Sequence, residues 1–344
     1  MFSAAGIVRA ALAGHWTERT PVSEGSGWSD SETLNSPVFA ECNGAKSRPK
    51  NKKTQRCCSR KKSMMQIIEK EIPAKELITK SNLPASDYVI NPYIGCPHAC
   101  KYCYARFMKR VTGHTEEWGN FIDVKRCEKP IDVKKVARKS VFISSVTDCY
   151  NPFEAKYQIT RSVLEQLRQA DCFITVSTKS DLVLRDIDIL KELKHLTVAI
   201  SVNTLDDGFQ SDMDNAKSIS QRIAALKELR RQGIYTVLFM SPIFPYITDF
   251  KKIIEATKDF VCEYWFENLN LRGNYRQEIL HYIREKYPHC FDGYREIYIN
   301  KNTEYWKLLS AEIDKYCTER NITYKNYFYH NLLVAKKKSN AKGN

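Results

Sequence analysis

The chain has 344 residues and a net charge of +14, from 54 Lys and Arg against 40 Asp and Glu. This length accommodates one large α/β domain with tails, or two modest domains. It contains no run of about 18 apolar residues, so we expect no membrane span. The N-terminus lacks the order of a signal peptide, and the 12 cysteines therefore predict reduced thiols in the cytoplasm, not a disulfide scaffold.

The basic charge lies mostly in the two tails. Residues 1–63 carry 11 Lys and Arg against 5 Asp and Glu, and the tail from Lys336 adds four lysines, which leaves +4 for the remainder. Nucleic acid is thus a candidate partner, but the small net charge of the central part of the chain gives little electrostatic reason for it to bind there. We predict a disordered basic extension over 1–63, a domain over 64–330 and a basic tail over 331–344, because the first segment buries too little apolar surface to offset its ordering entropy.

Strand and helix patterns alternate after Met64, which predicts parallel βαβ units. The expected strands are 88–91, 141–145, 173–178, 196–202, 235–241 and 262–269. The expected helices are 104–111, 132–139, 159–169, 185–194, 219–232, 276–286 and 304–320. Six such units fit an α/β fold, a partial (β/α)6 TIM-like barrel with additional C-terminal helices. In barrels the functional groups lie at the C-terminal ends of the strands.

A cysteine motif follows the first expected strand. The stretch NPYIGCPHACKYCYARF places Cys96, Cys100 and Cys103 at the spacing Cys-x3-Cys-x2-Cys, with Tyr102 directly before the third cysteine. Three thiolates this close can converge only if the backbone loops around a common centre, and sulfur ligands select soft metals or iron–sulfur clusters. Three ligands are one fewer than a cubane cluster needs. One iron would therefore stay open for chemistry.

Zinc is the alternative metal for this motif. A closed zinc site needs a fourth ligand, for which His98 and Cys127 are the candidates. The corresponding function is a zinc-stabilised nucleic-acid-binding protein without catalysis, with the basic tails on phosphates.

The cysteine motif resembles that of the radical SAM superfamily, Cys-x3-Cys-x-aromatic-Cys in the loop after a first strand. The longer segment VINPYIGCPHACKYCYA, followed by WGNFIDVK, is similar to sequences of the branch that includes spore photoproduct lyase. It also resembles radical SAM proteins carried in pairs on bacterial mobile elements. The resemblance covers Ile67 to Lys325. It implies a [4Fe–4S] cluster on the three cysteines, with S-adenosylmethionine chelating the fourth iron.

The resemblance also implies an enzyme of lyase or oxidoreductase type. In such enzymes the reduced cluster cleaves S-adenosylmethionine, and the resulting 5′-deoxyadenosyl radical abstracts a hydrogen from a substrate in the barrel mouth. The implied partners are an external one-electron donor of the flavodoxin or ferredoxin type and a paired radical SAM protein. DNA repair is the nearest named activity, but fold and cofactor do not fix the substrate.

Polar residues after the second and third strands are candidates for cofactor binding. Thr147 and Asp148 can accept a hydrogen bond from the methionine amino group, although the superfamily's Gly-Gly-Glu motif is absent and Asp148 could simply build a turn. Glu154 is a weaker candidate, because it could start the next helix. Lys179 could pair with the methionine carboxylate, as the resemblance to the spore photoproduct lyase branch implies, or be an ordinary loop lysine.

Further candidates follow the fourth and sixth strands. Ser201 and Asn203 are placed to hydrogen-bond the ribose hydroxyls or the carboxylate of the cofactor, although a buried, satisfied serine is an alternative. Asn270 stands in a polar group, with Glu267, Asn268 and Arg272, that is denser than a core strand tolerates unless it faces a cavity. Tyr102 completes the expected cofactor-binding set.

Cys149 has two interpretations. It follows the second strand on the side of the cysteine motif, so its thiol could donate a hydrogen atom to a substrate radical, as one is thought to do in spore photoproduct lyase. The alternative is a packed free cysteine.

Overall fold

Two sheets organise the protein. The computed structural model describes residues 67–83, 85–273 and 275–328, so the expected segments 1–63 and 331–344 lie outside the described residues. The strands are β1 (Ile68–Pro73), β2 (Ile78–Lys80), β3 (Tyr88–Ile90), β4 (Tyr93–Ile94), β5 (Phe121–Arg126), β6 (Ser140–Ile143), β7 (Phe173–Thr178), β8 (Leu196–Ser201), β9 (Tyr235–Ile243), β10 (Glu263–Asn268) and β11 (Tyr324–Asn326).

The larger sheet has the order β11-β10-β9-β8-β7-β6-β3-β2. Its neighbours pair in parallel, except β2, which pairs antiparallel with β3 at the edge. The six expected strands are β3 and β6 to β10, which are consecutive in this sheet. The predicted α/β partial barrel is therefore confirmed. The short strands β2 and β11 extend it at its two edges, and their three residues each are too few for a recognisable sequence period.

The smaller sheet has the order β1-β5-β4, with β5 parallel to β1 and antiparallel to β4. We expected the first barrel strand to deliver the cysteine loop directly, but β4 lies between them. Gly95 follows β4 with a φ of +81°, and a Cβ there would lie 2.4 Å from the carbonyl oxygen of Phe121. Only glycine permits this turn and this close approach to β5.

Four expected helices form close to their predicted bounds: Ile159–Leu167, Ile219–Arg231, Tyr275–Lys286 and Glu304–Glu319. Three others are shorter or mixed. They are a 3-10 turn Tyr104–Phe107 followed by Met108–Thr112, the single turn Val133–Val136, and a 3-10 segment Asp181–Asp186 followed by Ile187–Leu190. The sequence did not predict Glu154–Tyr157, Asp207–Met213, Phe250–Thr257 or Phe291–Tyr298.

The two faces of the larger sheet are different environments. In β7 the buried residues Ile174, Val176 and Thr178 alternate with the partly exposed residues Phe173, Thr175 and Ser177. Ile174 and Val176 point outward and join the main core beneath the helices. The partly exposed residues lie on the inner face, which carries a separate cluster around Ala199, Val237 and Trp265. In β8 the four consecutive residues 198–201 are all buried, so both faces of that strand are covered.

Within the described residues, none of the helices has the length and apolar character that a membrane crossing requires.

Candidate functional site

The cysteine loop folds back on itself twice. The N–H of Ala99 donates to the carbonyl of Cys96 at 3.0 Å, and the N–H of Cys103 donates to the carbonyl of Cys100 at 3.1 Å. Burial raises the pKa of Cys100 far above its usual value and that of Cys103 to about 12, and the nearby thiols of the same loop add to both shifts. Thiols crowded in this way become thiolates chiefly by binding a cation.

The loop is held from outside by residues 213–215. The N–H of Lys101 donates to the carbonyl of Met213 at 2.9 Å, and the N–H of Asn215 donates to the carbonyl of His98 at 2.7 Å. The hydroxyl of Tyr102 donates to Oδ2 of Asp214 at 3.1 Å. The loop therefore has a fixed position against the segment that follows helix Asp207–Met213.

Asp214 and Arg222 form a buried ion pair behind this contact. Nη2 of Arg222 lies 2.5 Å from Oδ1 of Asp214, and the two side chains are 0% and 1% exposed. The guanidinium also donates to the carbonyls of Lys217 and Ser201, and Gln210 donates to Asp214 at 2.7 Å. Sequence reasoning missed this network. The available signal was a charged residue at position 222, on the face that Leu226 and Leu229 share.

Asp148 connects three elements. Its Oδ1 accepts from the hydroxyl of Thr178 at 2.7 Å, and its Oδ2 accepts from the backbone N–H of Lys179 at 2.7 Å. Nδ1 of His98, in the cysteine loop, lies 3.3 Å from the same Oδ2, in ion-pair range but not aligned as a hydrogen bond. Burial lowers the pKa of His98, yet Cys96 and Asp148 outweigh that effect and raise it to about 10. Asp148 thus ties the ends of β6 and β7 to the loop.

The side chain of Lys179 lies beside Tyr102 of the cysteine loop. Its Nζ lies 5.9 Å from the ring centre of Tyr102. Its positive charge opposes the effect of burial and lowers the pKa of both Cys100 and Cys103. Tyr102, Asp148 and Lys179 are therefore grouped around the three cysteines.

The remaining candidates differ in how far their side chains are engaged. Ser201 is buried at the end of β8, and Asn203 donates to the carbonyl of Pro242 at 3.1 Å. Asn270 is exposed and accepts from Nε of Arg272 at 2.9 Å. Glu154 is fully buried, and its carboxylate accepts from Tyr93, from Arg185 and from two backbone N–H groups at the start of helix Ile159–Leu167. Glu154 thus has a complete set of structural partners.

Cys149 is fully buried in the main core. Its sulfur lies 3.9 Å from the carbonyl oxygen of Ser177, and its own carbonyl accepts from Thr160 at 2.7 Å. The thiol is packed on all sides.

The inner face of the sheet has an aromatic wall. The rings of Phe239 and Trp265 are 5.5 Å apart, and those of Trp265 and Tyr327 are 5.8 Å apart, both edge to face. Nε1 of Trp265 is buried and has no hydrogen-bond partner. Toward the C-terminal end of β10, Glu267 accepts from the hydroxyl of Ser241.

Four buried polar atoms near the cysteine loop have no hydrogen-bond partner: His98 Nδ1, Arg106 Nε, Trp118 Nε1 and Thr147 Oγ1. Buried polar groups are normally paired, so such a concentration indicates a site for a bound group. No group of three or more His, Cys, Asp or Glu in the described part of the chain is arranged to hold a single metal ion. Three thiols with free N–H donors around them suit a sulfur-containing cluster.

Comparison with known proteins identifies the family. A sequence profile of the radical SAM superfamily matches residues 90–259, from the end of β3 past β9. An uncharacterised protein of Methanocaldococcus jannaschii is 38% identical over 232 residues, which are 67% of this chain and 87% of that protein. The chain belongs to the radical SAM superfamily. As a radical SAM protein it belongs to a family of enzymes that use an iron–sulfur cluster and S-adenosylmethionine.

More distant relatives occur in viruses. A protein named radical SAM Nα-GlyT isomerase, from Pseudomonas phage M6, is 28% identical over 187 residues, or 53% of this chain and 37% of that protein. An uncharacterised protein of Acidianus two-tailed virus is 28% identical over 198 residues, or 54% of this chain and 63% of its own. These relatives agree with the expected link to mobile elements.

Solved structures give weaker likenesses. Spore photoproduct lyase complexed with dinucleoside spore photoproduct superposes with a TM-score of 0.46 at 15% identity, over 63% of this chain and 66% of that chain. Streptococcus suis SuiB bound to precursor peptide SuiA gives a TM-score of 0.47 at 14% identity, over 80% and 52%. These values decide nothing about the substrate.

Proposed function

We propose that Cys96, Cys100 and Cys103 hold a [4Fe–4S] cluster with which this radical SAM enzyme reductively cleaves S-adenosylmethionine. The observation that carries the proposal is the grouping of the three thiols in one loop, beside Lys179 and three buried polar atoms without a hydrogen-bond partner, on Arg106, Trp118 and Thr147. Three protein ligands leave one iron for the amino and carboxylate groups of S-adenosylmethionine.

The chain supplies orientation and charge to this chemistry. When bound, the reduced cluster supplies the electron that breaks a C–S bond of S-adenosylmethionine and so produces a 5′-deoxyadenosyl radical. Lys179 provides a positive charge toward which the methionine carboxylate would turn. The unpaired hydroxyl of Thr147 can accept from the methionine ammonium group. Asp148 helps to position Lys179 by accepting a hydrogen bond from its backbone N–H, and the same carboxylate oxygen faces His98.

We assign the other cofactor contacts by position. Ser201 and Asn203, at the end of β8, are proposed to meet the ribose or the carboxylate, and Asn270, after β10, the outer part of the cofactor. Tyr102 is proposed to support the cofactor site through its ring, which lies near Lys179, while its hydroxyl is bound to Asp214. Substitution of each by Ala, followed by titration with S-adenosylmethionine, separates contact residues from bystanders.

The inner face supports a substrate with a planar ring. Phe239, Trp265 and Tyr327 present ring edges and faces, and the indole N–H of Trp265 requires an acceptor. A nucleobase offers both a flat face and carbonyl acceptors, so we keep a DNA-repair-like reaction as the proposed activity. Transfer of deuterium from labelled S-adenosylmethionine into an oligonucleotide would support it, and no transfer to any nucleic acid would refute it.

Cys149 is proposed to pack and not to react. Its thiol is fully buried in the main core, so return of a hydrogen atom to a substrate radical would require the core to open. A Cys149→Ala enzyme that forms an altered product would restore the hydrogen-donor hypothesis.

The proposed partners follow from this chemistry. Cluster reduction requires an external one-electron donor, for which a flavodoxin or ferredoxin is the candidate. A paired radical SAM protein is a separate proposed partner. Cys96, Cys100 and Cys103 are free thiols, in keeping with the reducing cytoplasm that we propose as the location of the protein. Binding of a nucleic acid through the basic tails is part of the DNA-repair proposal.

The cysteine ligands can be tested directly. Each of Cys96→Ala, Cys100→Ala and Cys103→Ala should lose the four-iron cluster and all 5′-deoxyadenosine formation, because each removes one of only three protein ligands. Iron content, absorbance near 400 nm and product are measured after anaerobic reconstitution, with Cys172→Ala as the matched control. A variant that keeps four irons and full turnover would disprove the assignment. A colourless protein with stoichiometric zinc would favour the zinc alternative.

A further inference from the structure

Two of the unpaired N–H groups lie directly on the cysteine loop. Trp118 is 8% exposed and packs in one small cluster with Ile94, Cys96, Ala105 and Phe121. The next residue, Gly119, approaches the loop so closely that a Cβ on it would lie 2.4 Å from Cβ of Ala99. The indole is therefore fixed against the loop on the side of Cys96, and its Nε1 is buried without a partner.

Arg106 has a similar position on the side of Cys103. Its backbone N–H donates to the carbonyl of Cys103 at 3.5 Å. Nη1 donates to both carboxylate oxygens of Glu278 at 2.9 Å, which fixes the guanidinium. Nε of the same group is buried and has no partner. A guanidinium fixed on one side in this way presents its other side to a specific acceptor.

Trp118 packs in one cluster with Cys96, and Arg106 follows Cys103 by three residues, so both donors belong to the surroundings of the cysteine loop. A buried N–H group without an acceptor destabilises a protein. Two such groups beside the same loop are therefore expected to find acceptors when the cluster is bound. Sulfides and thiolates of an iron–sulfur cluster accept hydrogen bonds, and such bonds set the reduction potential. Reduction adds negative charge to the sulfurs, so each donor stabilises the reduced form more than the oxidised form.

We propose that Nε1 of Trp118 and Nε of Arg106 donate hydrogen bonds to sulfur atoms of the bound cluster, and thereby raise its reduction potential. This inference rests on the proposed cluster. It assigns to Trp118 and Arg106, which are not cluster ligands, control of the reduction potential of the cluster. The two donors come from different segments, one from the residues before β5 and one from the turn after Cys103.

The main test is Trp118→Phe, which removes the N–H and keeps an aromatic ring. Iron content and the EPR signal of the reduced cluster first establish that the cluster is present, so a failure of the cluster proposal is recognised separately. The midpoint potential is then measured by EPR-monitored redox titration. We expect the equilibrium constant for reduction to fall about threefold to tenfold, the size of one lost hydrogen bond, which is about 30 to 60 mV for a one-electron couple.

Three variants complete the experiment. Trp306→Phe, in helix Glu304–Glu319 and packed against Phe328, should leave the potential unchanged. Arg106→Lys keeps the charge and removes Nε, and should lower the potential even if Trp118→Phe fails to fold. Glu278→Gln removes the charge of the partner but keeps an amide oxygen that can accept from Nη1 of Arg106, so Nε stays in place and the potential should remain near that of the wild type.

A spectroscopic measurement identifies the hydrogen bonds themselves. Pulsed EPR of the reduced cluster, compared in H2O and D2O, detects exchangeable protons close to the irons. Trp118→Phe and Arg106→Lys should each lose one such coupling. If both variants carry intact clusters with unchanged potentials and unchanged proton couplings, the donors bond to buried water or to the protein instead, and the proposal is wrong.

Discussion

At the scale of single residues, the site depends on a buried charge pair that does not touch the cysteines. Asp214 receives hydrogen bonds from Arg222, Gln210 and Tyr102, and only Tyr102 belongs to the cysteine loop. The pKa of Asp214 is lowered, because the charges of Arg222 and Lys179 and its hydrogen bonds outweigh burial, which acts in the opposite direction. The carboxylate therefore stays ionised inside the protein. A charge in such a place is stable only while its partners remain.

We predict that Asp214→Asn destabilises the protein by roughly 3 to 5 kcal/mol, because it leaves the guanidinium of Arg222 buried without a counter-charge. Tyr102→Phe removes one hydrogen bond and should cost about 1 kcal/mol. Both are measured by chemical denaturation under anaerobic conditions. Asp188→Asn, which affects the exposed pair with Arg161, is the control and should cost far less. Equal losses for Asp214→Asn and Asp188→Asn would contradict the role given to the buried pair.

At the scale of elements, the segment before β5 acts as a rigid support for the cysteine loop. Gly95 turns the chain next to Phe121, and Gly119 has a φ of +108° where it meets Ala99. The His114 side chain, stacked on Phe121 with ring centres 3.8 Å apart, connects Glu116 to the buried Asp123 of β5. The close contact of Gly119 with Ala99 and the stacking of His114 on Phe121 together place Trp118 against the loop.

Two glycines of this segment permit a matched comparison. Gly119→Ala should cost roughly 1 to 3 kcal/mol from its positive φ and should also displace the loop, so that iron content after reconstitution falls. Gly113, at the end of helix Met108–Thr112, has a φ of +73°, but a Cβ on it would meet no atom within 4 Å. Gly113→Ala should cost about 1 kcal/mol and retain its iron. If both variants bind iron equally well, the contact with Ala99 does not position the loop.

At the scale of the whole molecule, the larger sheet brings together most parts of the site, and β4 of the smaller sheet carries the cysteine loop. The cysteine loop follows β4, Asp148 follows β6, Lys179 follows β7, Ser201 ends β8 and Glu267 lies in β10. Because parallel strands end at the same edge of the sheet, residues far apart in sequence meet there. The helices cover the other face, and the inner face carries the cluster around Ala199, Val237 and Trp265. The site belongs to the domain that we expect over 64–330.

We predict that a chain beginning at Met64 folds and binds the cluster and S-adenosylmethionine as the full chain does, because residues 1–63 lack a core-forming pattern. Thermal unfolding and a binding titration compare the two chains. Limited proteolysis of the full chain should cut first between 46 and 62, where Lys and Arg are dense. An insoluble shortened chain, or one that loses its cofactor, would show that the extension is part of the functional domain.

The sequence by itself determined the barrel strands and the cysteine loop. Their signals are local, since an apolar run of five to seven residues predicts a buried strand, and three cysteines within eight residues predict a common ligand centre. Lys179 could be selected for the same reason, from its place after a recognisable strand. The short strands β2, β4 and β11 gave no such signal, because two or three residues do not define a period.

Only the tertiary structure decided which polar groups support the loop. Asp214 and Arg222 are eight positions apart, in a loop and a helix, and their pairing depends on how that helix packs beneath β8. Trp118 is an ordinary core aromatic by sequence, and its unpaired N–H becomes visible only when its neighbours are known. Burial and the completeness of hydrogen bonding are sums over contacts from distant parts of the chain. A local pattern of residue types does not contain them.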